Sequence, residues 1–152
     1  MIKFIKATLI LTFALANISI SQANASQFEA VKRTFEIETG SINPAEHAYI
    51  CKKVFNTLIQ HLKEQRRHQQ QKVLSENSKY FDLFIDGVKD EMKKEVSEKE
   101  AEESLKKLKD KIDAKFTQDT VKIVAAEKKV YPTYCSYFIL QHRSHLDERV
   151  KD

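Results

Sequence analysis

Four residues in a chain of 152 supply all its glycine and proline: Gly40, Gly87, Pro44 and Pro132. Sheet proteins turn often. Their turns draw on glycine for positive φ and on proline for a preset φ. So small a supply cannot furnish the many tight turns of a sandwich or barrel, and it predicts helices joined by short polar connections. Glu, Lys, Gln, Leu and Ala dominate the rest of the chain, and all are good helix formers. The expected fold is all-α, a small bundle of four to six helices.

The first residues follow a different pattern. Lys3 and Lys6 open the chain, Ala7 to Ile20 is uncharged and mostly apolar, and Ala23 and Ala25 place small residues before Ser26. Charged, then apolar, then small is the order of a secretory signal peptide with an A-x-A cleavage site. A membrane anchor needs about 20 apolar residues, and here Asn17, Ser19 and Ser21 interrupt the run. The expectation is a signal peptide over 1–25, cleaved to leave 26–152 as a single helical domain with no transmembrane segment. Its location would be the periplasm or the extracellular medium. Lys3 and Lys6 contribute to the net charge of +4, so residues 26–152 are nearly neutral. Neither that balance nor the compartment favours a nucleic-acid partner.

An oxidising compartment gives the two cysteines a meaning. Cys51 and Cys135 permit one intramolecular pairing, and a disulfide between them is expected. Closing so long a loop restricts the unfolded chain by roughly 4–5 kcal/mol in the chain-entropy model, an upper guide.

Hydrophobic spacing divides the rest. Phe28, Val31 and Phe35 predict a short helix over 27–38, with Gly40 as its stop. Asn43-Pro44-Ala45-Glu46 resembles a capping box, with proline at the first helical position. From there Cys51, Val54, Phe55, Leu58 and Leu62 line one face, and the helical pattern continues to about Leu74. Ser75 to Ser78 interrupts it. Tyr80, Phe81, Leu83, Phe84, Ile85, Val88 and Met92 form the densest apolar cluster and are placed in the core. Ser97 and Glu100 make a capping box, followed by the stripe Ala101, Leu105, Leu108, Ile112 and Phe116. Glu102–Lys106 and Glu103–Lys107 are expected i,i+4 pairs. Val121 and Val124 continue helically. Pro132 then breaks the chain and disfavours helix at Tyr131. Cys135, Phe138, Ile139, His142, Leu146 and Val150 share the face of a last helix, so the disulfide would staple the second helix to the last.

Few groups suggest chemistry. His142 and His145 share a helix face but lack the third ligand a zinc site needs, and no metal site or cofactor is assigned. The stretch from Lys63 to Lys72 has no apolar residue and concentrates Lys63, Arg66, Arg67 and Lys72. Such runs usually form a solvated helical face, although an anionic partner would suit this one. Tyr131, Tyr134 and Tyr137 surround Cys135. Their large rings favour packing. Exposed, they would anchor a protein partner. There is no glycine-rich phosphate loop, G-x-S-x-G or H-E-x-x-H, and no nucleophile, base and orienting group can be assembled. No enzyme is expected.

In layout, a leader, a small helical domain, and cysteines in an early and the last helix, the chain loosely resembles small periplasmic immunity proteins that block secreted cell-wall amidases. Less closely, it resembles disulfide-linked acid-resistance chaperones of the periplasm. The resemblance implies a non-enzymatic module that binds an envelope or secreted protein as inhibitor, immunity protein or scaffold. Binding of anionic lipid through 63–72, binding of a metal ion, and a stress-chaperone role are the alternatives.

Overall fold

One helix organises the others. The computed structural model describes residues 25–127 and 129–151. These form α1 (Ala25–Thr39), α2 (Pro44–Glu64), α3 (His68–Met92), α4 (Glu98–Lys115), α5 (Gln118–Glu127) and α6 (Val130–Val150), with no strand among the described residues. The expected signal peptide over 1–25 lies outside the described residues, apart from Ala25. The protein is an all-α bundle carrying one disulfide.

Helix α2 packs against α3, α4, α5 and α6, while α1 lies on α6. Its central place follows from its composition: Ala48, Ile50, Cys51, Val54, Phe55, Leu58 and Leu62 are all buried. Burial of each large side chain among them stabilises the fold by about 1.5–3 kcal/mol. Aromatic rings extend this core sideways. Phe55 meets Phe81 of α3 edge-on at 5.1 Å between centroids, and Phe81 lies 6.0 Å from Phe138 of α6. Cys51 and Cys135 are bonded, with Cα atoms 5.3 Å apart, and join α2 to α6.

Three expectations about the path of the chain are corrected. The helix from Pro44 does not continue to Leu74 but ends at Glu64. The Arg66 amide donates to the Lys63 carbonyl at 3.1 Å and the Arg67 amide to the Leu62 carbonyl at 2.9 Å. This pair of bonds is a Schellman motif, and it holds Arg66 at φ 55, a left-handed conformation usually given to glycine. Folding back here lets Leu74 and Phe81 bury against α2, a return that an uninterrupted helix would forgo. Ser75 to Ser78 does not interrupt anything, because α3 runs straight through it with Leu74, Ser78 and Phe81 facing inward. Burial of that face outweighs the weak helix preference of Ser and Asn. Pro132 does not break a helix either. It occupies the first turn of α6, where a missing N–H costs nothing, and Tyr131 is helical.

Packing also departs from pattern in places. Of the cluster from Tyr80 to Met92, only Phe81 is fully buried; Leu83, Phe84, Ile85, Val88 and Met92 are half-buried. The stripe of α4 buries Ala101, Leu105, Ile112 and Phe116, with Leu108 half-buried. The capping box at Ser97 forms as expected. The pairs expected along α4 are replaced by others. Glu102 meets Lys89 of α3 at 2.6 Å and Lys106 meets Asp110 at 2.8 Å, while Glu103 approaches Lys99 at 4.0 Å. The antiparallel approach of α3 brings Lys89 to Glu102.

Candidate functional site

The connection from α1 to α2 is four residues long, Gly40 to Asn43, and is held from beneath by side chains of three helices. The Gly40 amide donates to the Glu36 carbonyl at 2.9 Å and closes α1 with φ 67 at Gly40. A Cβ there would lie 3.2 Å from the Lys115 ammonium, so glycine suits this position by conformation and by space. Lys115, from α4, donates to the carbonyl of Thr39. The Thr39 hydroxyl donates to the Phe35 carbonyl at 2.7 Å and accepts from the Ser41 amide at 3.3 Å. Asn43 caps α2 by accepting from the Ala45 amide at 2.9 Å.

Glu46 does not complete the expected capping box. Its carboxylate turns instead to the Ser41 hydroxyl and to Lys111 of α4, which donates at 2.8 Å. Burial alone would raise the Glu46 pKa, but the hydrogen bonds from Lys111 and Ser41 outweigh it and hold the group below its ordinary value of 4.5.

His47 stands at the centre of this network and is 1 % exposed. Its Nε2 lies 2.7 Å from the Ser41 carbonyl, and its Nδ1 lies 2.7 Å from the hydroxyl of Tyr134 on α6. A carbonyl can only accept, so Nε2 carries the proton. In the neutral ring Nδ1 then accepts, and Tyr134 donates. Phe35 packs edge-on against His47 at 5.1 Å and stacks on Tyr134 at 4.2 Å. Burial lowers the His47 pKa below 6.5, against opposing pulls from the Ser41 carbonyl and from Glu36, and it raises that of Tyr134. With both ring nitrogens occupied and the ring covered, His47 presents no lone pair to a substrate.

Above this base the chain leaves apolar surface in water. Ile42, within the connection, is 82 % exposed, and Ile37, in the last turn of α1, is 72 % exposed. The connection that carries Ile42 is tied down by the hydrogen bonds of Asn43, His47 and Lys115.

The residues singled out from sequence distribute differently. Tyr131 and Tyr134 are 3 % and 2 % exposed, so they cannot anchor a partner. Their rings serve the core, where each lies near Phe35. Lys63, Arg66 and Lys72 are exposed and Arg67 is half-buried, around the turn between α2 and α3 rather than along a helical face. Among the described residues no salt bridge engages Lys63, Arg66 or Arg67, while Lys72 approaches Glu76 at 3.9 Å. The length of α2, about 30 Å at 1.5 Å per residue, separates this turn from Tyr134 and the 40–43 connection. The His142 ring lies 4.8 Å from the ring of Phe84 and 4.6 Å from that of Phe138, whereas His145 is exposed. Among the described residues, no group of three His, Cys, Asp or Glu is placed to hold a metal ion, and no helix is long and apolar enough to cross a membrane.

His47, Ile37 and Ile42 escaped the sequence reading. A signal for His47 was present: it sits four before Cys51 and seven before Val54, on the buried stripe of α2. Ile42 was legible as a lone apolar residue inside a turn, and Ile37 as one that falls off the Phe28, Val31 and Phe35 face. Comparison of the chain with protein-family models, curated proteins and solved structures finds no match.

Proposed function

We propose that this chain is an exported, non-enzymatic protein-binding module of the cell envelope or its surroundings, of the inhibitor, immunity or scaffold kind. It takes hold of its partner with Ile42 and Ile37. The observation that carries the reading is the exposure of Ile42 on a connection pinned by His47, Lys115 and Asn43. A buried cystine supports export, since such bonds persist in oxidising compartments.

A photo-crosslinking residue placed at position 42 in cells should capture one dominant protein, and the same residue at Val96 should not. Val96 is a control because it is exposed and apolar but remote in sequence. With that partner purified, Ile42→Asp should weaken affinity about tenfold or more, the loss expected for one buried isoleucine. The melting temperature should be unchanged. Equal affinity for wild type and Ile42→Asp would overturn the assignment of the surface. Turnover of an envelope substrate by the purified protein, lost in a point variant that still folds, would overturn the non-enzymatic reading.

The basic turn supports a second reading, contact with an anionic surface, because Lys63, Arg66 and Arg67 crowd together with no salt bridge to any of the three among the described residues. Binding to anionic vesicles that falls steeply with added salt and is lost in Arg66→Glu/Arg67→Glu would favour it.

A further inference from the structure

We infer that the chain stands end-on on anionic lipid. The turn between α2 and α3 rests on the phosphate headgroups, and the Ile42 end of α2 is held about 30 Å above them. This rests on the second reading given above, and adds to it the kind of surface and the orientation.

The turn concentrates charge that the fold leaves unpaired. Between Lys63 and Lys72 four cations accompany one carboxylate, Glu64. That carboxylate lies 3.5 Å from the Gln60 amide, and among the described residues no salt bridge engages Lys63, Arg66 or Arg67. Cations nearer the middle of the bundle are treated differently: Lys52 meets Asp82, Lys53 meets Asp113 and Lys89 meets Glu102. The carbonyl end of α2 and the amide end of α3 come together at the turn, so their dipoles largely cancel and the side chains set the field. No acid stands in the first turn of α3 to lower it.

The same turn has no apolar anchor. A protein interface carries an apolar core inside a polar rim. Among the described residues, the exposed large apolar side chains are Ile37, Ile42, Val96 and Val150, all on other segments. Leu62 and Leu74, on either side of the turn, are buried. A partner gripped by charge alone must offer dense negative charge without a fixed pattern, as a plane of lipid phosphates does. Each Lys or Arg near such a plane strengthens attachment about fivefold. Four of them make a reversible contact.

The orientation follows from where the cations stand. Arg66 and Arg67 are the turn itself, Lys63 is in the last turn of α2, and Lys72 is in the second turn of α3. Helices α4 and α6 join α2 at Glu46, Cys51 and Lys53, all in the half of α2 nearer Ile42. Helix α3 returns antiparallel, with Asp82 against Lys52. The headgroups therefore meet the closed end of a helical hairpin. Ile42 lies at the opposite end, so lipid and a protein partner can be held at once.

Vesicle cosedimentation tests the contact, on the whole chain as its host makes it, disulfide intact. The probes are vesicles of equal parts phosphatidylglycerol and phosphatidylcholine, and vesicles of phosphatidylcholine alone. The protein should bind the first and not the second. Binding should fade as salt rises from about 0.01 to about 0.15 M and the screening length drops from about 30 to about 8 Å. Arg66→Gln/Arg67→Gln should weaken it about twenty-five-fold, fivefold for each cation, and Lys106→Gln/Lys107→Gln on α4 by less than about twofold. If the first variant does not fold, Lys63→Gln/Lys72→Gln takes its place with the same expectation. Inorganic phosphate at matched ionic strength should not displace the protein; displacement would mean a pocket for a single phosphate and overturn docking on a lipid plane. Absence of binding to the anionic vesicles, or binding that is equal on neutral ones or unchanged in the arginine variant, overturns the proposal together with the second reading. Orientation is read by NMR with a gadolinium chelate on the lipid headgroup. Amides of 65–68 should broaden and those of 40–42 should not. Equal broadening at both ends overturns the end-on stance and leaves the charge contact in place, so the two fail separately.

Discussion

The hydroxyl of Tyr134 donates to Nδ1 of His47 at 2.7 Å, joining positions 87 residues apart in the chain. This bond links the stapled helix α6 to the base of the 40–43 connection, and it satisfies the one acceptor that a buried neutral histidine has left. Tyr134→Phe should therefore destabilise the protein by about 1–3 kcal/mol, the cost of a buried polar atom without a partner. Tyr137→Phe is the comparison, since Tyr137 is half-buried and, among the described residues, its ring contact is with Phe28, edge-on at 5.8 Å; its effect should stay within about 0.5 kcal/mol. Urea unfolding at pH 7.5 measures both.

Glu46 and Lys111 give a stability term with a defined pH window. The folded pKa of Glu46 lies below 4.5, so the ionised carboxylate contributes stability that is complete above 4.5 and is lost as pH falls through the folded value. Lys111→Met removes the strongest partner of that carboxylate. It should cost about 1–3 kcal/mol at pH 7, and the difference from wild type should shrink steadily as pH drops below 4.5. Thermal melts across that range check the sign: a difference that grows in acid contradicts it.

Cys51 and Cys135 are both fully buried, and their bond ties the central helix to the last one. Alkylation of the unfolded, non-reduced protein should label neither. Cys51→Ala should cost about 2–5 kcal/mol, as for native bridges in small secreted domains. Denaturant titration of the variant and of wild type gives the number.

Arg66 offers the opposite sign. A non-glycine residue at φ 55 carries roughly 1–2 kcal/mol of steric cost, against which glycine would bring about 0.4–1 kcal/mol of extra freedom to the unfolded chain. Arg66→Gly should therefore stabilise by up to about 1 kcal/mol, and Arg66→Val, branched at Cβ, should destabilise. Differential scanning calorimetry distinguishes the two directions.

Local chemistry was legible wherever one short stretch contains all the partners. The cap by Asn43, the proline that follows it, the box at Ser97 and Glu100, and the stop at Gly40 each involve residues within four positions of one another. The helical class followed from scarce glycine and proline, and the pairing of Cys51 with Cys135 from there being one way to pair them. Tertiary packing decided the rest. The fold-back at Arg66 has no glycine to announce it, because a Schellman motif is closed by backbone bonds that any residue can form once the return of α3 offsets the strain. Ser75 to Ser78 stayed helical because Leu74 and Phe81 bury on either side of it. Glu46 left its cap for Lys111, 65 residues away. Tyr134 turned inward because Phe35 and His47 offered its ring a stack and its hydroxyl an acceptor. Sequence alone specified what each segment could become, since helix and cap energies are local. Which polar groups would meet, and which isoleucine would be left in water, depended on distances that exist only after the helices pack.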